Sequence, residues 1–183
     1  MMMLNECENK KRCKYRNYKR SHFFITFFMH YLLIMDKGYK YNNVKNWSKS
    51  FDIFEMDKVF FPINIESRHW AMAVVYIQEK KIHYYDSMYG NDGMQWMEGL
   101  LRWLVDEAKE KKNIDLDTNE WSLVGSETHV PKQYNGFDCG VFAIICADFL
   151  SDDLPLDYHQ NDMSFFREKI TADILRGKLL YDI

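Results

Sequence analysis

The stretch His69-Trp70-Ala71-Met72-Ala73-Val74-Val75-Tyr76-Ile77 decides the architecture of this chain. Read as a strand, it places Ala71, Ala73, Val75 and Ile77 on one face and Trp70, Met72, Val74 and Tyr76 on the other. A strand apolar on both faces belongs in the middle of a sheet that is covered on both sides. On either side of it, Val59 to Asn64 and Lys81 to Asp86 are short runs of β-branched and aromatic residues bounded by polar turns. They predict further strands, the second joined to the first by a hairpin turning near Glu79. Beyond them the spacing becomes helical. Trp96, Leu100, Leu101, Leu104, Val105 and Ala108 form a core-facing stripe, with Asp106, Glu107, Lys109 and Glu110 predicted toward solvent. Trp121 to Val124 reads as another strand, and Val141 to Leu150 as a buried helix. A last amphipathic helix runs from Asp162, a good N-cap, through Phe166, Ile170, Ile174 and Leu175. These elements predict an α+β domain, a central mixed β-sheet packed between helices.

The 183 residues suffice for one domain with a real core, and 47% hydrophobic with 28% charged residues excludes a disordered or fibrous chain. Charge is unevenly spread. Residues 1–20 carry Lys10, Lys11, Arg12, Lys14, Arg16, Lys19 and Arg20 against Glu6 and Glu8, whereas the remaining residues hold 17 basic and 25 acidic side chains. A basic tail, expected to be poorly ordered, thus precedes an acidic body at 21–183 that suits a protein partner better than nucleic acid. The tail reads equally as a nuclear-localisation signal or as a solvated segment, so the nucleus or the cytoplasm is the expected location. Phe23 to Met35 is nearly all apolar, but thirteen residues fall short of the ~20 that span a bilayer. Asp36-Lys37-Gly38-Tyr39 offers no signal-peptide cleavage site, so a buried helix from Ser21 to Met35 is predicted and no membrane span. Cys7, Cys13, Cys139 and Cys146 are too few for a disulfide scaffold and match no common zinc spacing, so no metal is expected.

Chemistry is concentrated in Pro131-Lys132-Gln133-Tyr134-Asn135-Gly136-Phe137-Asp138-Cys139-Gly140, a polar, turn-rich segment ending in a cysteine at the mouth of the buried helix. The partial positive charge of a helix N-terminus favours a thiolate, and Gly140 leaves room for a substrate backbone. Cys146, two turns deeper and without polar neighbours in sequence, reads as a small buried hydrophobe. A cysteine nucleophile needs a base, and the base needs an orienting partner. His69 opens the central strand and Asp86 closes the next, so a hairpin would carry both toward one end of the sheet. Of the other histidines, His83 lies mid-strand, His22 and His30 in the first predicted helix, and His129 and His159 in loops. Gln133, six residues before Cys139, could donate from its amide to an oxyanion beside the Cys139 N–H, a contact worth about 3 kcal/mol.

The order His69-Trp70, Asp86-Ser87, Gln133 and Gly136-Phe137-Asp138-Cys139-Gly140 resembles the Ulp1/SENP family of SUMO-specific cysteine proteases. Phe61-Pro62-Ile63-Asn64, Tyr84-Tyr85-Asp86-Ser87-Met88, Asp117-Thr118-Asn119 with Trp121, and Phe165-Phe166-Arg167 extend the likeness from about Gly38 to Leu180. The resemblance implies the papain-like, ubiquitin-like-protease fold, with Cys139 as nucleophile, His69 as base, Asp86 as orienting carboxylate and Gln133 as oxyanion donor. It implies no cofactor. The implied partner is SUMO or another ubiquitin-like protein and its conjugates, acted on by a monomer, with the modifier's C-terminal Gly-Gly entering an aromatic tunnel. Trp70 matches one wall of that tunnel, and a slot between flat rings admits only residues without side chains. The resemblance also implies an earlier segment carrying the tunnel's other tryptophan, for which residues 1–37 show no motif; Trp47 matches a tryptophan outside the tunnel. A non-catalytic module binding ubiquitin-like proteins, and an acetyltransferase using the same His, acidic and Cys set, are the alternative functions.

Overall fold

His69–Tyr76 is strand β5, the centre of a five-stranded sheet ordered β1 (Ser21–Phe23), β4 (Lys58–Ile65), β5, β6 (Lys81–Tyr85) and β7 (Ser122–Val124). The computed structural model describes residues 2–7, 20–34, 38–90, 92–126, 130–177 and 179. β5 runs antiparallel to β4 and β6, while β1 and β7 add parallel edges, so the sheet is mixed. A separate two-stranded ladder pairs β2 (Leu33–Ile34) with β3 (Gly38–Tyr39). The hairpin expected near Glu79 joins β5 to β6, with Tyr76 paired to Lys81.

Both faces of β5 are covered, and by different elements. Ala71, Ala73 and Val75 join Phe61, Ile63, Ile82 and Tyr84 in one core, closed by α1 (Phe28–Leu32) and α2 (Met94–Lys112). Met72, Val74 and Tyr76 face Phe60, Tyr85 and the Ala143, Cys146 and Ala147 side chains of α3 (Cys139–Ser151). A third cluster lies between α3 and α4 (Met163–Arg176), built on Phe142, Ile145, Met163 and Phe166. At roughly 1.5–3 kcal/mol per large buried aliphatic or aromatic side chain, this two-sided burial favours the sheet at the centre.

Three expectations are corrected. The helix predicted from Ser21 to Met35 begins instead as β1, parallel to Lys58–Phe60, and is helical only over Phe28–Leu32; Met35 lies outside the described residues. The reason is two-sided burial: Phe23 stacks on Phe60 at 4.5 Å on one face, while Phe24 packs against Phe28 and Phe61 on the other. Backbone bonds from Phe24 to Phe60 and from Lys58 to Arg20 zip the segment onto the sheet edge. Next, residues 2–7, expected within a poorly ordered tail, are helical, and Leu4 is buried against the sheet. Asn5 bonds both the Phe23 carbonyl (2.8 Å) and the Phe23 N–H (2.9 Å), its amide standing in for a further strand. The basic positions 8–19 lie outside the described residues. Finally, Glu107 does not face solvent. It is fully buried and accepts from Ser48 (2.8 Å), Tyr41 (3.0 Å) and Lys111 (2.7 Å). The residues between β3 and β4 fold over that side of α2 and bring the hydroxyls a buried carboxylate needs.

Asp162 stands at the N-cap position of α4, but its carboxylate makes no cap bond to that helix and accepts instead from the His159 N–H at 2.8 Å, and Ile174 and Leu175 near the helix end are exposed.

Candidate active site

Antiparallel pairing of β5 and β6 brings the first residue of one strand beside the residue that follows the other. His69 Nε2 lies 2.6 Å from Asp86 Oδ1. Asp86 is fully buried, and the turn it opens satisfies it: Oδ1 also accepts from the Met88 N–H at 2.8 Å, and Oδ2 from the Gly90 N–H at 3.2 Å. Its own backbone exchanges two 2.9 Å hydrogen bonds with the Ser126 hydroxyl. Burial pushes the Asp86 carboxyl upward, but the bonds from His69 and the Met88 and Gly90 amides outweigh it, so the group stays below the ordinary carboxylate range. In return the hydrogen bond to Asp86 raises His69, against its partial burial and with a further contribution from the Cys139 thiol.

Because Asp86 holds Nε2, the other ring nitrogen is the one free for chemistry. His69 Nδ1 is buried and has no hydrogen-bond partner among the described residues. Cys139 is buried as the first residue of α3, where the unpaired N–H groups of the first turn cluster. Cys146, by contrast, is enclosed in the core and its thiol is pushed far upward by burial. Trp70 covers the α3 N-terminus: a Cβ placed on Gly140 would sit 3.5 Å from the indole edge. Trp70 also lines a small cavity with Tyr85, Ser87 and Phe142.

Gln133 is buried, and its amide is held at both ends. Ser87 Oγ donates to Oε1 at 3.1 Å, while Nε2 donates to the Asn135 carbonyl and to Asn135 Oδ1 at 3.2 Å. Asn135 in turn accepts from the Asp138 N–H at 3.1 Å, which links Gln133 to the start of α3. His69, Asp86, Cys139, Trp70 and Gln133, each proposed from sequence, therefore occupy one end of the sheet and the adjoining helix mouth.

Sequence reasoning missed the buried clamp beside Cys139. The Asp138 carboxylate accepts from Asn135 Nδ2 (2.6 Å), Gln160 Nε2 (2.7 Å), and Arg167 Nε (2.8 Å) and Nη2 (2.5 Å). Arg167 Nη2 also donates to the Phe137 carbonyl at 3.0 Å. Burial would raise Asp138, and the donors from Asn135, Arg167 and Gln160 hold it below its ordinary value. The signals available were Asp138 within the Gly136-Phe137-Asp138-Cys139-Gly140 motif and the Phe165-Phe166-Arg167 segment, neither of which carried a role for Asp138 or Arg167. Among the described residues no cluster of three His, Cys, Asp or Glu side chains could hold a metal ion, and no helix is long and apolar enough to cross a membrane.

A buried cysteine at a helix N-terminus, a histidine whose far nitrogen is anchored by a carboxylate, and a buried amide in the preceding loop form the constellation of thiol hydrolases. Residues 1–178 match the family described as Ulp1 protease family, C-terminal catalytic domain, and this chain belongs to that family. It is 38% identical to human Sentrin-specific protease 2 over 171 residues, covering 93% of this chain and 28% of the relative. It is 35% identical to Arabidopsis thaliana Ubiquitin-like-specific protease 1A over 182 residues, covering 97% of this chain and 35% of the relative. The chain thus spans about a third or less of these relatives. The solved C-terminal Ulp1 protease domain in complex with Smt3, the yeast ortholog of SUMO, superposes with a TM-score of 0.72 at 30% identity, over 88% of this chain and 70% of that one. The Chaetomium thermophilum Ulp1-like SUMO protease catalytic domain shares the fold, with a TM-score of 0.74 at 22% identity over 96% of this chain and 68% of that one.

Proposed function

We propose that this chain is a thiol protease and isopeptidase that cleaves after the C-terminal Gly-Gly of a ubiquitin-like modifier, SUMO foremost. The observation that carries this reading is the histidine: Asp86 occupies Nε2 and leaves the buried Nδ1 without a hydrogen-bond partner among the described residues, on a ring that the Cys139 thiol influences. Cys139 Sγ attacks the carbonyl carbon of the terminal glycine as His69 Nδ1 takes the thiol proton. The tetrahedral oxyanion is met by N–H groups at the start of α3 and by the Gln133 amide, which exchanges an Asn135 oxygen for the charged one. Collapse breaks the C–N bond, and His69 returns its proton to the leaving amine. Water, deprotonated by His69, then hydrolyses the thioester, releasing the modifier's carboxylate and restoring the thiol.

Trp70 takes the role of one wall of the Gly-Gly slot, since its indole edge lies over Gly140 beside the nucleophile. Residues 21–183 act as the catalytic domain, with helical residues 2–7 docked against it, and the site of action is the nucleus or the cytoplasm. The test is a panel of SUMO, NEDD8 and ubiquitin probes carrying a C-terminal electrophile, applied to the wild type and to Cys139→Ser. The expected outcome is a covalent adduct with the SUMO probe in the wild type alone, with Cys139→Ser inactive yet still binding SUMO. Turnover by Cys139→Ser at the wild-type rate refutes the assignment of the nucleophile.

A further inference from the structure

Asp86 to Gly90 is a single turn that reaches both halves of the site. Through Asp86 it anchors the base. Its next residue, Ser87, grips Gln133 at two points: the Ser87 carbonyl accepts from the Gln133 N–H at 2.8 Å, and Ser87 Oγ donates to Gln133 Oε1 at 3.1 Å. Both side chains are buried, so neither bond is replaced at low cost by water. Two residues on, Tyr89 adopts φ +53°, a region that aromatic residues seldom occupy. There its hydroxyl donates to the Val130 carbonyl, and its ring lies 5.6 Å from Lys132 Nζ. The turn therefore holds the segment from Val130 to Gln133 through two of its residues, Ser87 and Tyr89, and Tyr89 keeps an unfavourable backbone conformation to do so.

The amide orientation follows from charge distribution. Gln133 Nε2 faces two oxygens of Asn135, so the opposite orientation would set oxygen against oxygen. Oε1 must then point toward Ser87, whose hydroxyl is the donor at that end. Removing that hydroxyl frees the amide to rotate and leaves a buried oxygen without its donor.

We propose that Ser87 is a positioning residue that sets the Gln133 amide for the oxyanion, so that the turn carrying Asp86 couples the base to the oxyanion donor. This inference rests on the reading of Gln133 as the oxyanion donor. It is tested in the full chain with a fluorogenic SUMO C-terminal substrate, on Ser87→Ala, Gln133→Ala, the double variant and Ser87→Thr. The expected result is a fall in kcat of about 5–20-fold for Ser87→Ala with KM within twofold, smaller than the loss from removing the donor itself. Ser87→Thr, which keeps the hydroxyl, restores most of it. The double variant matches Gln133→Ala alone, because a misplaced donor and an absent one are equivalent. Additive losses in the double variant, or an unchanged kcat for Ser87→Ala, overturn the proposal. Wild-type kcat in Gln133→Ala instead refutes the underlying reading of the donor, an outcome that the single variant separates from the first two. Where Ser87→Ala melts at a much lower temperature, Ser87→Cys, similar in size but a weak donor, is expected to show the same kcat loss without a KM change.

Discussion

Asp86 and His69 stabilise each other's charged forms, and this mutual support has a defined pH window. His69 is raised from its ordinary 6.5, so its contribution to stability is complete below that value and is lost as pH climbs through the raised one. Asp86 is lowered from 3.8, so its contribution is present above 3.8 and is lost as pH falls through the lower folded value. The pair therefore stabilises the fold most between roughly pH 4 and 6.5. We expect the Tm difference between the wild type and His69→Phe to be largest near pH 5–6 and to narrow by about pH 9. Thermal melts across that range check it, and a gap that widens with pH contradicts the assignment. Arg167 operates at the same scale. It holds Asp138 with two nitrogens and Phe137 with one of them, fixing the residues that lead into Cys139. Arg167→Ala is expected to cost about 1–3 kcal/mol of stability, the side chain being half exposed, and to lower kcat/KM at least tenfold. Arg167→Lys restores only part of the activity, because an ammonium cannot reproduce the planar fork.

The elements differ in how openly their residues announce them. The β5–β6 hairpin was legible because runs of β-branched and aromatic residues meet a polar turn, and α2 because its apolar positions repeat at helical spacing, whereas α3 was read as a buried helix from a nearly continuous apolar run. Ser21 to Met35 was not, since an unbroken apolar run has no period to read and only the neighbouring edge of β4 makes it a strand. The β4–β5 turn shows the opposite case, a local choice made against preference. Glu66 and Ser67 have φ of +50° and +57°, and Arg68 N–H closes the turn on the Ile65 carbonyl at 2.9 Å. Asparagine and glycine suit two such residues in succession. The double substitution Glu66→Asn with Ser67→Gly is expected to raise stability by about 1–2 kcal/mol, read as a higher urea midpoint with an unchanged m-value.

Across the molecule, α3 joins the site to the core. Cys139 stands at its N-terminus, and at its other end the buried Lys58 of β4 donates to the Leu150 carbonyl and to Asp153, both at 2.5 Å. A cation at the C-terminal end of a helix agrees with its dipole and ties the helix to the sheet it covers. Lys58→Met is expected to cost about 1–2 kcal/mol, measured by urea unfolding, since it removes both charge-assisted bonds at the helix C-terminus. At this scale the limits of sequence reading are physical. Patterns of period two and 3.6, the absence of a long apolar span and the residue types able to make a Cys–His–carboxylate site are local properties, and the chain alone determined them. That Glu107 is buried beneath Tyr41 and Ser48, that Asn5 completes the edge of β1, and that Ser87, Gln160 and Arg167 meet around Gln133 and Asp138 depended on long-range packing. Those contacts join segments far apart in the chain, so only the tertiary structure, by closing the loops between them, decided which polar side chains become partners.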